Sequence, residues 1–205
     1  MSGLNLEQVA ATLSERFGPE ITGRVEFRGE LSLTLKPGAL HSICEFCRDE
    51  LTFDLLLDIS SVDHFEHEPR YELVYELYSL AHGVHLRLKT TAGEDEPSVR
   101  SVCDLWPTAN WHEREVWDMM GIKFESHPDL RRIIMWDGYP FHPLRKDFPL
   151  EGKYSDVPDV AFTEPAPLSG GPFVTAPVSG TTEVREPRAR RAGDPQPDAA
   201  FIAEP

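Results

Sequence analysis

The sequence is poor in positive charge, in cysteine and in long apolar runs. Twenty lysines and arginines face 35 aspartates and glutamates in 205 residues, a formal net charge of −15. Such a chain offers no electrostatic attraction to a phosphate backbone or to anionic lipid, so nucleic-acid binding and membrane adsorption are not expected. Three cysteines, an odd count, do not make a disulfide framework, and a reducing compartment is expected instead. The longest apolar stretch, around Leu55-Leu56-Leu57, is far shorter than the ~20 residues that span a bilayer. The opening MSGLNLEQVA has no basic region and no apolar core, so no secretory signal is expected. No G-x-G-x-x-G or G-x-S-x-G occurs. Gly152-Lys153 precedes Tyr154 with no glycine five positions earlier, which excludes a phosphate loop.

What is present divides into a body and a tail. Residues 155–205 hold nine of the 18 prolines, with four arginines against eight acids and no apolar period. Such a segment buries too little surface to offset chain entropy and is expected to be extended or disordered when free. Phe162, Phe173 and the Phe201-Ile202 pair are its candidate anchors for a partner. The expected organisation is an α+β domain over 1–121, an irregular docking segment over 122–154 and the tail over 155–205.

Within the body, Asn5 and Gln8 form a capping-box pattern ahead of Leu6, Val9, Ala10, Leu13 and Phe17 at helical spacing. Val25 and Phe27, then Leu31, Leu33 and Leu35, alternate with polar residues around Gly29, which predicts a hairpin. Residues 39–50 predict a second helix, with Leu40, Ile43, Cys47 and Leu51 on one stripe. Three strands follow: a nearly continuous apolar run at 53–62, read as covered on both faces, and alternating runs at 71–77 and 84–88. A short helix is expected up to about Trp106. A further helix is expected from Trp111 to Met120, opened by Asn110 and Glu113 as a second capping box and closed by Gly121. The predicted fold is a two-layer α+β sandwich, a mixed sheet of about five strands with helices on one face, followed by a helix and an extended tail.

Motifs for chemistry are weak. Cys44-x-x-Cys47, with His41 upstream and Cys103 distant, is a candidate metal set, but an iron–sulfur cluster needs four thiolates, a structural zinc needs four N/S ligands, and Cys47 lies on the apolar stripe of a helix. His112-Glu113-Arg114-Glu115-Val116 lacks the second histidine of a zincin helix. Glu115 and Asp118 share a helix face, as acids that pair with arginines commonly do. The unusual feature is residues 111–149: a charged helix, then His127-Pro128-Asp129-Leu130-Arg131-Arg132, then His142-Pro143-Leu144-Arg145-Lys146-Asp147-Phe148-Pro149. Arginine, aromatic residues and proline on irregular backbone suit a rigid docking surface, or a loop packed on its own domain.

The run from Glu113 through Trp117 and Asp118 to Gly121-Ile122, continued by His127 to Ile134, resembles the signature of the C subunit of NADH-quinone oxidoreductase, the 30 kDa subunit family of respiratory complex I. The segment His142 to Leu150 resembles the family's closing motif, and the Asp58-x-Ser60-x-Val62-Asp63 strand is similar to one of its strands. Trp117, Met120 and Phe148 stand where relatives commonly carry Tyr, Phe and Tyr, so two hydroxyls are missing here.

The resemblance implies a non-catalytic subunit in the peripheral arm of a proton-translocating NADH:quinone oxidoreductase. The expected location is the cytoplasmic face of a bacterial inner membrane. It further implies no cofactor in this chain, with FMN and iron–sulfur clusters in partner subunits, and packing beside the D, B and I subunits of complex I. The implied interface comprises Glu113, Arg114, Glu115, Asp118, His127, Arg131, Arg132, His142, Pro143, Leu144, Arg145, Lys146 and Asp147. Two alternatives stay open: the equivalent spacer of a membrane-bound hydrogenase or ferredoxin-dependent complex, and a stand-alone metal protein using Cys44, Cys47 and His41.

Overall fold

A computed structural model describes residues 4–150. The tail over 155–205, with its candidate anchors, lies outside the described residues. The chain divides into two units, one ending at Asp137 and one beginning at Gly138.

In the first unit, helix α1 (Leu6–Phe17) opens on the expected capping box. Asn5 Oδ1 accepts from the Gln8 N–H at 2.8 Å, and Gln8 Oε1 accepts from the Asn5 N–H at 3.0 Å. Strands β1 (Ile21–Phe27) and β2 (Glu30–Leu35) form the predicted hairpin, turning at Arg28-Gly29, both at positive φ. Helix α2 (Leu40–Asp49) precedes β3 (Leu55–Asp63), β4 (Tyr71–Ser79) and β5 (Val84–Ala92). The sheet order is β1-β2-β5-β4-β3, antiparallel throughout except for the parallel pair β2–β5. This mixed five-stranded α+β sheet is the architecture the periodicity predicts.

Register explains the core. Leu31 and Leu33 lie opposite Leu86 and Leu88, which lie opposite Leu77 and Tyr75, which continue to Leu56 and Ile59. All are buried on one face, where α1 contributes Val9, Ala10 and Leu13 and α2 contributes Leu40, Ile43, Cys44 and Cys47. The opposite face carries the polar alternates: Lys89 pairs with Glu72 at 2.9 Å, and Arg87 bridges Glu76 and Glu30.

Three expectations are corrected. Strand β3 is not covered on both faces: its burial alternates, and Leu57 stands half-exposed at a register shift between Leu56 and Asp58. Residues 98–100 are not helical. Ser98–Arg100 forms β6, paired parallel with β7 (Lys123–Glu125), a strand inside a segment expected to be irregular. Helix α3 runs from Ala109 to Met120 without the second capping box. Its N-cap is Thr108, which makes no side-chain cap bond, and Glu113 is used elsewhere. Gly121, at φ 78°, closes α3 as expected. Among the described residues, no helix is long and apolar enough to cross a membrane.

Candidate docking site

Helix α3 organises its surroundings through three buried charged residues. Glu113, fully buried, accepts from the Ser101 hydroxyl (2.6 Å), the Val102 N–H (2.8 Å) and the Cys103 thiol (3.3 Å). Burial raises its carboxyl above the ordinary value, against the lowering effect of those donors. The same helix thereby ties down the segment that enters it from β6.

Four residues apart and therefore on one side of α3, Arg114 and Asp118 grip the segment after β7. Arg114 donates from Nε to the Arg131 carbonyl (3.0 Å) and from Nη2 to the Arg132 carbonyl (3.1 Å). Its guanidinium also lies 5.0 Å from the Trp111 ring centroid. Asp118 Oδ2 accepts from three successive main-chain N–H groups, Ile133 (3.0 Å), Ile134 (2.7 Å) and Met135 (2.9 Å). Its Oδ1 pairs with Arg132, which also lies over Trp117. Burial would raise the Asp118 carboxyl, but these donors together hold it below the ordinary range. Between them the two side chains fix five consecutive residues that would otherwise be a free loop. The apolar side chains displayed are Ile133, Ile134 (56% exposed) and, on α3, Trp111 (60% exposed).

Cys103, Glu113 and His127 bring ligand atoms within 4.8 Å of one another. Their hydrogen bonds describe a different use. His127 Nδ1 accepts from the Asp129 N–H (3.0 Å), so the ring proton sits on Nε2, where it reaches the Asn110 carbonyl at 3.2 Å. A metal ligand needs the opposite arrangement at Nε2. Burial also pushes the Cys103 thiol up to about 12, and that thiol donates to Glu113 Oε2 at 3.3 Å. Sequence reasoning missed this cluster because Ser101, Cys103, Glu113 and His127 share no spacing pattern.

The set proposed from sequence is not assembled as a metal site. Cys44 and Cys47 are buried with thiols raised by desolvation, and His41 Nε2 is bonded to Asp104 at 2.9 Å. Of the implied interface residues, Glu113, Arg114 and Asp118 are buried within the unit, Arg132 and His127 are partly so, and Glu115 and Arg131 are exposed. His142 to Asp147 belong to the second unit. There the Arg145 N–H reaches the His142 carbonyl at 3.2 Å, Tyr139 meets Phe141 edge-to-face, and Phe148 lies tilted against Phe141. Leu144, Lys146 and Asp147 are exposed.

The fold is an α+β sheet domain whose buried helix charges hold main chain in place, with apolar side chains displayed beside them. The chain matches the family model of the respiratory-chain NADH dehydrogenase 30 kDa subunit over residues 33–154, and it belongs to that family. It is 44% identical over 140 residues to the C subunit of NADH-quinone oxidoreductase from Geotalea uraniireducens, covering 68% of this chain and 85% of the relative. Among solved structures it is similar to the trypsin-resistant fragment (1–134) of Nqo5, with a TM-score of 0.56, 30% identity and coverage of 62% of this chain and all of that one. It is also similar to a chain of a membrane-bound sulfane sulfur reductase, an archaeal respiratory membrane complex (TM-score 0.62, 27% identity, 70% of this chain and 85% of that one).

Proposed function

We propose that the chain is a non-catalytic structural subunit of the peripheral arm of a proton-translocating NADH:quinone oxidoreductase. In this reading it packs beside the quinone-site D and B subunits and near the cluster-bearing I subunit, on the cytoplasmic face of a bacterial inner membrane. It holds no flavin or cluster of its own, and electrons pass through its neighbours. The observation that carries the reading is the double grip of Arg114 and Asp118 on residues 131–135. These buried charges are committed to main chain and to Arg132, as suits groups that set a surface. A pre-ordered loop avoids much of the entropic cost of docking. Trp111, Ile133 and Ile134 supply the apolar anchors, and Glu115 and Arg131 supply polar contacts around them. The His142–Asp147 segment of the second unit supplies further polar contacts of its own.

The test is affinity purification of the full chain from its native membranes, with its partners identified by mass. The reading expects stoichiometric recovery of the quinone-site and cluster-bearing subunits. Recovery of the chain alone, turning over a substrate or carrying a stoichiometric redox centre, would contradict it.

The likeness to a chain of the sulfane sulfur reductase supports a second reading, in which the same module serves a related membrane complex with a different electron donor. Oxidation of NADH by the co-purified complex favours the first reading. Failure with NADH and activity with reduced ferredoxin favours the second.

A further inference from the structure

Strand β1 is built the wrong way round for a strand that ends a sheet in water. Opposite its neighbours in β2, Arg24 and Glu26 face the side on which Leu33 and Leu31 are buried, and they pair with each other. Val25 and Phe27 face the open side, opposite Ser32 and Glu30, and are 60% and 66% exposed. An isolated edge strand normally directs its apolar residues to the core and its charges outward. The apolar residues here have no covering layer within the described residues.

The edge itself is also open. β1 is paired only with β2, and its outer main-chain groups have no partner among the described residues. The other edge of the sheet is treated differently. Helix α3 lies along β3, with the Thr108 hydroxyl donating to the Leu56 carbonyl and His112 reaching Asp58. Unpaired edges are templates for strand addition; β1 carries no lysine or proline, and its core-facing Arg24 and Glu26 and the register shift between Ile21 and Gly23 restrict which strand can add.

A shallow groove at the hairpin end of β1 is lined by Leu6, Glu7, Glu26, Phe27, Arg28 and Glu30. Of its three carboxylates, Glu26 is paired with Arg24 and Glu30 with Arg87, while the groove's own Arg28 lies over the Phe27 ring at 5.0 Å. Glu7 makes no ion pair among the described residues.

We infer that β1 accepts a sixth strand, an extended segment of a neighbouring subunit. Its apolar residues cover Val25 and Phe27 on the open face, and a lysine or arginine meets Glu7 at the rim of the groove. Main-chain hydrogen bonds supply affinity, while the apolar pair and the groove charge set register and partner. The inference rests on the chain being a subunit of an assembly. It concerns a different surface from the α3–loop patch, so the two are separable.

Hydrogen exchange followed by mass spectrometry, on the full chain alone and in the purified assembled complex, tests it. Peptides covering Ile21–Phe27 are expected to exchange at least tenfold more slowly in the complex. Phe27→Lys should abolish that added protection while β4 and β5 stay as protected as before, and Glu7→Lys should reduce it. Equal exchange of β1 in both samples, with residues 131–135 protected in the complex, overturns the added strand but leaves the docking reading standing. Protection of neither segment overturns both. Full protection persisting in Phe27→Lys, or protection in the chain alone that rises with its concentration, overturns the hetero-partner strand as well.

Discussion

The Ile134 main-chain nitrogen lies 2.7 Å from Asp118 Oδ2, although 16 residues separate the two in sequence. The neighbouring N–H groups of Ile133 and Met135 share the same oxygen. A carboxylate receiving three main-chain donors is an anion in a nest built by the chain itself. It converts a turn into a fixed platform for Ile133 and Ile134.

Asp118→Asn should therefore lower stability by about 2 kcal/mol near neutral pH, because it leaves Arg132 and three partly buried donors under-compensated. The pH dependence has a definite sign. The folded carboxyl lies below its unfolded value of about 3.9, so its stabilisation is complete above that value and is lost as pH falls through the lower folded one. Acid unfolding of the variant, followed by circular dichroism, should show a shallower limb below about pH 4.

Glu113 has the opposite sign. Burial holds its folded carboxyl above the unfolded value, so it binds a proton more readily in the native state. Stability falls as pH rises from about 4.3, the unfolded value, through the raised folded one. Glu113→Gln keeps a side-chain acceptor for the Val102 N–H and has nothing to ionise. Urea midpoints measured across that range should fall less for the variant than for the parent.

The Tyr75 hydroxyl is fully buried without a hydrogen-bond partner among the described residues. A buried polar group left unpaired costs about 1–3 kcal/mol. Tyr75→Phe keeps the ring and removes that cost, so the variant should be about 1 kcal/mol more stable than the parent. Differential scanning calorimetry would show a higher Tm, and a lower one would place a partner on that oxygen.

Two ion pairs of similar length should differ widely in weight. Arg70 grips Asp63 through two 2.9 Å bonds with both side chains buried, whereas Arg131 and Asp129 meet at 3.0 Å in solvent. Asp63→Ala should cost about 3–5 kcal/mol and Asp129→Ala under about 1 kcal/mol. Chemical denaturation of the two variants side by side reads the contrast.

The parts legible in sequence are those set by local period and local caps. Asn5 with Gln8, the hairpin around Gly29, the alternation of β4 and β5 and the stop at Gly121 need only neighbouring residues to be read. The β6–β7 pair was not legible, because two three-residue strands some 25 positions apart carry no period. Asn110 and Glu113 mimic a capping box, but Glu113 gains more from Ser101, Val102 and Cys103 than a cap at an exposed turn would return. The charged residues of the site were legible as a group through the family signature. Their use was not, since Arg114 and Asp118 bind main chain, which any sequence supplies equally.

The most direct test of the structural role uses Ile134→Gln, which alters the displayed side chain, adds no charge and keeps the main-chain N–H that Asp118 accepts. Assembled complex would be quantified in membranes from the variant strain, and turnover measured per assembled complex. A buried apolar anchor of an interface is worth about 2 kcal/mol or more, so the amount assembled should fall severalfold while turnover per complex stays near that of the parent. Full assembly with collapsed turnover would contradict the account and return the chain to a role in the chemistry.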